Sequence, residues 1–220
     1  IMYYTGKMKC LYCGQEYETE TMFEGCPKCH NDKFASNLTP VYELPKTDGK
    51  KETFMKMFPG SGLEAYRALL PFKGTERFVD LGAGNTALTK LERLGEELEI
   101  DLYMKDETRN PTWGHKDRLN AVLINKAMEL KAPGVIYAST GNNGASGAAF
   151  AAKAGLPCII MTVTGVNKTL ETFMQIYGAS LIGVKTTADR WKVLKHMVDE
   201  NVCYPATNYV VPIVVNNPCA

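Results

Sequence analysis

The sequence predicts an α/β fold of parallel sheets covered by helices, preceded by a small cysteine-rich unit. Three observations lead there. From about Arg77 onward, short apolar runs alternate with helix-period segments, the pattern of strands buried on both sheet faces. Residues 1 to about 36 hold four cysteines in two tight pairs and are too few to fold on a core of their own. Residues 37 to about 75 connect the two textures. They are interrupted by Pro40, Pro45, Pro59 and Pro71 and carry the charged tract Lys46-Thr-Asp-Gly-Lys-Lys-Glu. Three parts are expected from these shifts: 1–36, 37–131 and 132–220.

Each element has its own justification. One helix is expected around Leu63 to Leu70. Ile100-Asp-Leu-Tyr-Met-Lys reads as a strand. Lys116 to Lys131 reads as an amphipathic helix, with Leu119, Val122, Leu123, Lys126 and Leu130 at helical spacing. Val135-Ile-Tyr-Ala is a second strand, leading through Ser139-Thr-Gly-Asn-Asn-Gly into a helix of small residues that ends at Gly155. Pro157-Cys-Ile-Ile-Met-Thr-Val is a third strand. A helix from about Lys168 to Tyr177 stops at Gly178, and Ser180 to Val184 follows as a strand. A last helix runs from about Ala188 to Glu200, and an extended piece covers Tyr204 to Val211.

Charge and composition exclude several classes. The 25 Lys and Arg against 24 Asp and Glu leave a net charge of +1, so no global positive field exists to grip nucleic acid. With 45% hydrophobic and 22% charged residues the chain is neither disordered nor fibrous. The most apolar region, Gly144 to Val163, is broken by Lys153 and Gly155-Leu156-Pro157, short of the roughly 20 apolar residues that span a bilayer. The first ten residues lack the apolar core of a signal peptide. A cytoplasmic protein with no nucleic-acid and no membrane partner is expected. An odd total of seven cysteines fits a reducing compartment better than a disulfide framework.

Cys10-Leu-Tyr-Cys13 and Cys26-Pro-Lys-Cys29 are two knuckles separated by the twelve residues Gly14 to Gly25. Such spacing places four thiolates around one Zn2+ ion, and four sulfurs make the site structural, with no open position for chemistry. His30 is then a surface residue. Within residues 1–35, Lys7, Lys9, Lys28 and Lys33 are outnumbered by Glu16, Glu18, Glu20, Glu24 and Asp32. Phosphate binding needs concentrated positive charge. A docking or capping role is favoured instead.

Three stretches carry the chemical signal. Leu81-Gly-Ala-Gly-Asn-Thr-Ala-Leu reads as a glycine turn before a helix. Asn110-Pro-Thr-Trp-Gly-His-Lys-Asp-Arg is a polar loop ending in a lysine at a helix start. Ser139-Thr-Gly-Asn-Asn-Gly-Ala-Ser is a strand-to-helix turn. Helix N-termini offer backbone N–H groups to an anion such as a carboxylate. The macrodipole disfavours a cation there, so Lys116 gains from being neutral or held as an imine, which also makes it a nucleophile. Singly, each stretch has a bland reading: a solvated lysine, packing glycines, and Asp117 as an ordinary first-turn acid.

In order and spacing the three together resemble the fold-type II pyridoxal phosphate enzymes, which share a tryptophan synthase β-like fold, and specifically the threonine synthase group. That group shows Gly-x-Gly-Asn-Thr-Pro-Leu, then Asn-Pro-Thr-x-Ser-x-Lys-Asp-Arg, then Ser-x-Gly-Asn-x-Gly, and many members begin with a four-cysteine ribbon. The resemblance covers essentially all 220 residues, including Asp189-Arg-Trp-Lys and Tyr204-Pro-Ala-Thr-Asn-Tyr. It implies that Lys116 forms the Schiff base with pyridoxal 5'-phosphate and shuttles protons, and that Asn142 bonds the cofactor's phenolic oxygen. Ser139, Thr140, Gly141 and Asn143 would surround the carboxylate of a small amino-acid substrate, with Thr86 nearby. The implied enzyme is a carbon-oxygen lyase converting O-phosphohomoserine to threonine and phosphate, with a homodimer as its assembly. Residues 37–131 would be the N-terminal part of the large cofactor domain and 132–220 the smaller domain.

Departures keep other reactions open. Ala83 stands where the synthases usually have Glu, Ala87 where they have Pro, Gly114 where Ser is common, and His115 where Phe is frequent. The His-Lys pair is instead familiar from tryptophan synthase β relatives. Cysteate synthase, dehydratases and other β- or γ-replacement enzymes share the scaffold, and a non-catalytic zinc-ribbon α/β fragment is the alternative of a different class. Family chains also continue for well over a hundred residues, through a glycine-rich loop for the cofactor phosphate. The 220 residues therefore read as an N-terminal portion, expected to hold the cofactor weakly by themselves.

Overall fold

Alternating burial builds the first strand. In β1 (Tyr4–Cys10), Tyr4, Met8 and Cys10 are buried while Lys7 and Lys9 face solvent. These positions belong to a computed structural model that describes residues 3–18, 23, 25–31, 34–46, 48–58, 60–73 and 77–207. β1 is the centre of an antiparallel ribbon between β2 (Glu16–Glu18) and β3 (Leu38–Tyr42), with Cys10 opposite Leu38. Pro40, which cannot donate to a ladder, sits on the edge strand β3. Tyr4, Met8, Cys10, Cys26 and Leu38 form this unit's small core.

The middle of the chain departs from expectation in three places. After α1 (Lys51–Met57), the helix expected over 63–70 is a 3-10 segment, Glu64–Leu69, with no buried residue. Without an apolar face to dock, and with Leu70 forced extended before Pro71, it does not lengthen into an α-helix. The glycine turn at 81–87 leads into a strand, not a helix. Gly82, Gly84 and Asn85 take left-handed φ values of 91°, 88° and 50°, and β4 (Leu88–Lys90) follows. The expected strand over 100–105 shortens to β5 (Tyr103–Lys105), because α2 (Glu92–Leu98) ends in a left-handed Glu99 and residues 99–102 make the return. β5 pairs antiparallel with β4 and lies outside the parallel sheet.

From here the expected alternation holds. α3 (Lys116–Glu129) buries Ala121, Leu123, Ile124 and Ala127 completely. Its Lys126, also buried, is tolerated because its ammonium meets Glu129 Oε2 at 2.5 Å and Pro71 O at 3.2 Å. The sheet contains β6 (Val135–Ala138), β7 (Cys158–Val163), β8 (Ser180–Val184) and β9 (Tyr204–Pro205), all parallel, in the order β8-β7-β6-β9. The crossovers are α4 (Asn142–Ala154), α5 (Lys168–Ile176) and α6 (Thr187–Asp199). The part of the last extended piece beyond Thr207 lies outside the described residues.

Every residue of β6 is buried. Its alternate side chains serve two cores: Val135 and Tyr137 pack with residues of α3 and α4, Ile136 and Ala138 with Leu194 and Val198 of α6. The small residues of α4 allow close approach on the first face. A Cβ on Gly147 would come within 2.2 Å of the Tyr137 ring, so only glycine seats that ring. No helix of the described residues is long and apolar enough to cross a membrane.

Candidate active site

The loop 110–115 is built from its buried ends. Asn110 accepts from the Gly84 amide at 3.0 Å and donates to Glu107 O and Oε2, each at 2.9 Å. At the other end, Asp117 is fully buried yet satisfied by three donors: the Thr112 amide (2.6 Å), the Thr112 hydroxyl (2.5 Å) and the Ser146 hydroxyl (2.6 Å). Asp117 is therefore more than a first-turn acid. It ties the loop before Lys116 to α4. Trp113 holds a left-handed φ of 60° and packs its ring edge-on against Phe173 of α5, centroids 5.2 Å apart.

Lys116 opens α3, half-buried, after an exposed His115. One turn on, Asn120 donates to Lys116 O (3.1 Å) and to Asn143 Oδ1 (3.2 Å), while accepting from the buried Tyr137 hydroxyl (2.9 Å). Asn120 thus joins the first turns of α3 and α4. Asn142 is exposed at the start of α4. A Cβ on Gly114 would lie 3.4 Å from Asn142 Nδ2, which brings the loop before Lys116 against the Asn142 carboxamide.

The other expected residues are placed as follows. Ser139 is buried, and its hydroxyl accepts from the Gly144 and Gly141 amides at 2.9 and 3.2 Å, shaping its own turn. Thr140 is exposed and Gly141 half-buried, while Asn143 turns its carboxamide oxygen inward to Asn120. Thr86 sits a step away, on the Arg118 side of α3. Its hydroxyl donates to Glu107 Oε1 (2.7 Å) and accepts from Arg118 Nη2 (3.1 Å). Arg118 also forks onto Glu107 at 2.7 and 2.9 Å, and with Thr86 and Asn110 it holds the Glu107 carboxyl down at about 2. The amides of Ala83 and Gly84 are spent on Asp80 and Asn110, so this turn is not an open anion cradle.

The cysteines converge as their spacing predicted. Cys10 and Cys29 sulfurs lie 3.9 Å apart, Cys13 and Cys26 3.8 Å, and all four within 4.8 Å. Four sulfurs at about 2.3 Å from a tetrahedral zinc would be about 3.8 Å from one another. The amides of Tyr12 and Cys13 point at Cys10 Sγ at 3.4 Å, and Ser36 Oγ stands 3.2 Å away. Burial pushes the Cys10 thiol up, but these contacts outweigh it and hold Cys10 at about 6, whereas burial and the neighbouring sulfurs push Cys29 up to about 12.

Residues 79–218 match the pyridoxal-phosphate dependent enzyme family. The chain belongs to that family. Within it, the chain is 32% identical to the threonine synthase of Methanosarcina acetivorans over 186 residues, 83% of this chain and 43% of the relative. It is 31% identical to the threonine synthase of Methanocaldococcus jannaschii over 201 residues, 89% of this chain and 48% of the relative. The chain thus spans under half the length of these relatives. Among solved structures, cysteine synthase from Entamoeba histolytica aligns with a TM-score of 0.53 at 21% identity, covering 62% of this chain and 44% of that one. The processed threonine deaminase isoform 2 from Solanum lycopersicum aligns at 0.52 and 19% identity, covering 60% and 37%. These two share the fold of this family member.

Proposed function

We propose that the chain is part of a threonine synthase-like carbon-oxygen lyase that binds pyridoxal 5'-phosphate at Lys116 and releases phosphate from O-phosphohomoserine. One observation carries this reading beyond family membership: Asp117 and Asn120 lock the first turn of α3 to α4, which sets Lys116 and Asn142 at the mouths of two adjoining helices. An amine and a carboxamide donor at two adjoining helix starts are the donor set that the cofactor's carbonyl carbon and ring oxygen would need, so the residues fit the cofactor. When bound, the cofactor supplies an electron sink for charge developing on the substrate's carbons.

The chain's own residues do the rest. The Lys116 amine would hold the cofactor through its carbonyl carbon and, when free, would carry protons at neighbouring substrate carbons. Asn142 would donate its carboxamide to the ring oxygen. The N-terminus of α4, beside Thr140 and Gly141, attracts the substrate carboxylate through its dipole and the amides of its first turn, while the Gly141 and Gly144 amides stay on the Ser139 hydroxyl. Ser139, Asn143 and Thr86 act behind this surface, since their polar atoms already bond protein partners. Cys10, Cys13, Cys26 and Cys29 hold a structural Zn2+, with residues 1–36 as its unit, 37–131 as part of the large cofactor domain and 132–220 as the smaller domain. The reading takes an amino-acid substrate and a homodimeric assembly.

Borohydride reduction of the cofactor-loaded full chain, followed by peptide mapping, tests it. The label is expected on Lys116, and a label on Lys105, Lys126 or Lys153 refutes the assignment. Phosphate release from O-phosphohomoserine, compared with elimination from serine, separates the synthase from a dehydratase.

A further inference from the structure

We propose a second ligand site, on the side of α3 turned away from Lys116, that binds a small phosphate monoester. A cavity of about 410 Å3 opens between the end of α1 with the 3-10 segment, at Phe58, Gly60 and Tyr66, and Asn85 of the glycine turn. That volume falls in the range of about 300–1,000 Å3 typical of small-molecule sites. Its walls differ in chemistry. Phe58 and Tyr66, ring centroids 5.5 Å apart, make an apolar wall. Lys105 from β5 and Arg118 from α3 make a cationic one, with Ser61 and Asn85 between, and no acidic side chain is among the lining residues.

Both cations are fixed from behind. Arg118 spends Nε and Nη2 on Glu107 and Thr86, and Lys105 donates one N–H to Thr86 O. The two N–H groups of Arg118 Nη1 and two of the three on Lys105 remain beyond those contacts. Lys105, Arg118 and Glu107 together carry one excess positive charge, which an anion in the cavity would balance. Donors arriving from two elements suit the splayed oxygens of a phosphate better than a planar carboxylate, which one guanidinium satisfies alone. The rings of Phe58 and Tyr66 then flank the ester's carbon arm. Residues 116 and 118 point about 200° apart around a helix, so this cavity is distinct from the surface at Lys116.

Calorimetric titration of the 220-residue chain with phenyl phosphate tests the proposal. One-to-one binding is expected, tighter than for inorganic phosphate, and none with phenol. Lys105→Met, an exposed position, is expected to keep the unfolding temperature and to weaken binding about tenfold or more. Tyr66→Leu is expected to narrow the preference for phenyl phosphate over inorganic phosphate, and Lys116→Ala to leave binding unchanged. Absence of binding to the folded chain would overturn the proposal. So would full affinity in Lys105→Met, an undiminished preference in Tyr66→Leu, or loss of binding in Lys116→Ala.

Discussion

Glu107 shows how one carboxylate organises its surroundings. It receives both arms of Arg118, the Thr86 hydroxyl and the Asn110 carboxamide, and its carboxyl is held at about 2 against an ordinary 4.5. A folded-state value below the unfolded one means that the contribution is fully present above about pH 4.5 and is lost as pH falls toward 2. Glu107→Gln is therefore expected to lower the unfolding temperature near neutral pH, with the gap to wild type closing between pH 4.5 and 2. Thermal melts across that window check it; a gap that stays constant to pH 2 would assign the loss to packing. None of this was legible in the sequence. The family resemblance singled out Thr86 as a neighbour of the substrate carboxylate, but its partners lie 21 and 32 residues away, and local spacing carries no trace of them.

At the scale of elements, the sequence was most informative where a strand runs into a helix through a polar turn. The starts of α3 and α4 were readable because apolar periodicity begins abruptly after residues that favour caps and turns. What joins the two helices was not. Asp117 and Asn120 sit in the polar positions of an amphipathic pattern, where solvated side chains are the ordinary expectation, and both are completely buried. The middle of the chain was harder for a different reason: β4, β5 and the 3-10 segment are too short for periodicity to register. The Tyr137–Asn120–Asn143 chain gives a test at this scale. Asn120→Ala leaves the buried Tyr137 hydroxyl without its acceptor, at a cost of about 1–3 kcal/mol. Tyr137→Phe should cost less in an Asn120→Ala background than in wild type, as partners in one network do. Denaturant unfolding of the two single variants and the double variant checks this; strict additivity would mean that the hydrogen bond contributes nothing.

For the whole molecule, the cores differ in what holds them. The parallel sheet is buried on both faces by α3, α4 and α6, and the cores it shares with them contain the largest fully buried side chains, among them Tyr137, Phe150 and Met161. The antiparallel ribbon has only five buried core residues among those described, two of them cysteines, and so few apolar side chains do not stabilise a fold without a staple. Four converging sulfurs provide one when a metal is bound, and the free energy of binding becomes folding free energy for that unit alone. Among the described residues no strand of the ribbon pairs with the parallel sheet; the cysteine unit meets the rest through side-chain and single backbone contacts, such as the Tyr3 amide on Ala68 O, the Lys126 ammonium over the Tyr4 ring and Phe23 edge-on against Tyr204. Loss of the metal should therefore stay local. Metal analysis is expected to find one zinc per chain, and none in Cys26→Ser, whose amide exchange should accelerate across β1 and β3. Protection in β6 and the helical circular dichroism should change little. Zinc retained in that variant would remove the four-cysteine site from consideration. Exchange accelerated equally in β6 would show instead that the two cores fold as one.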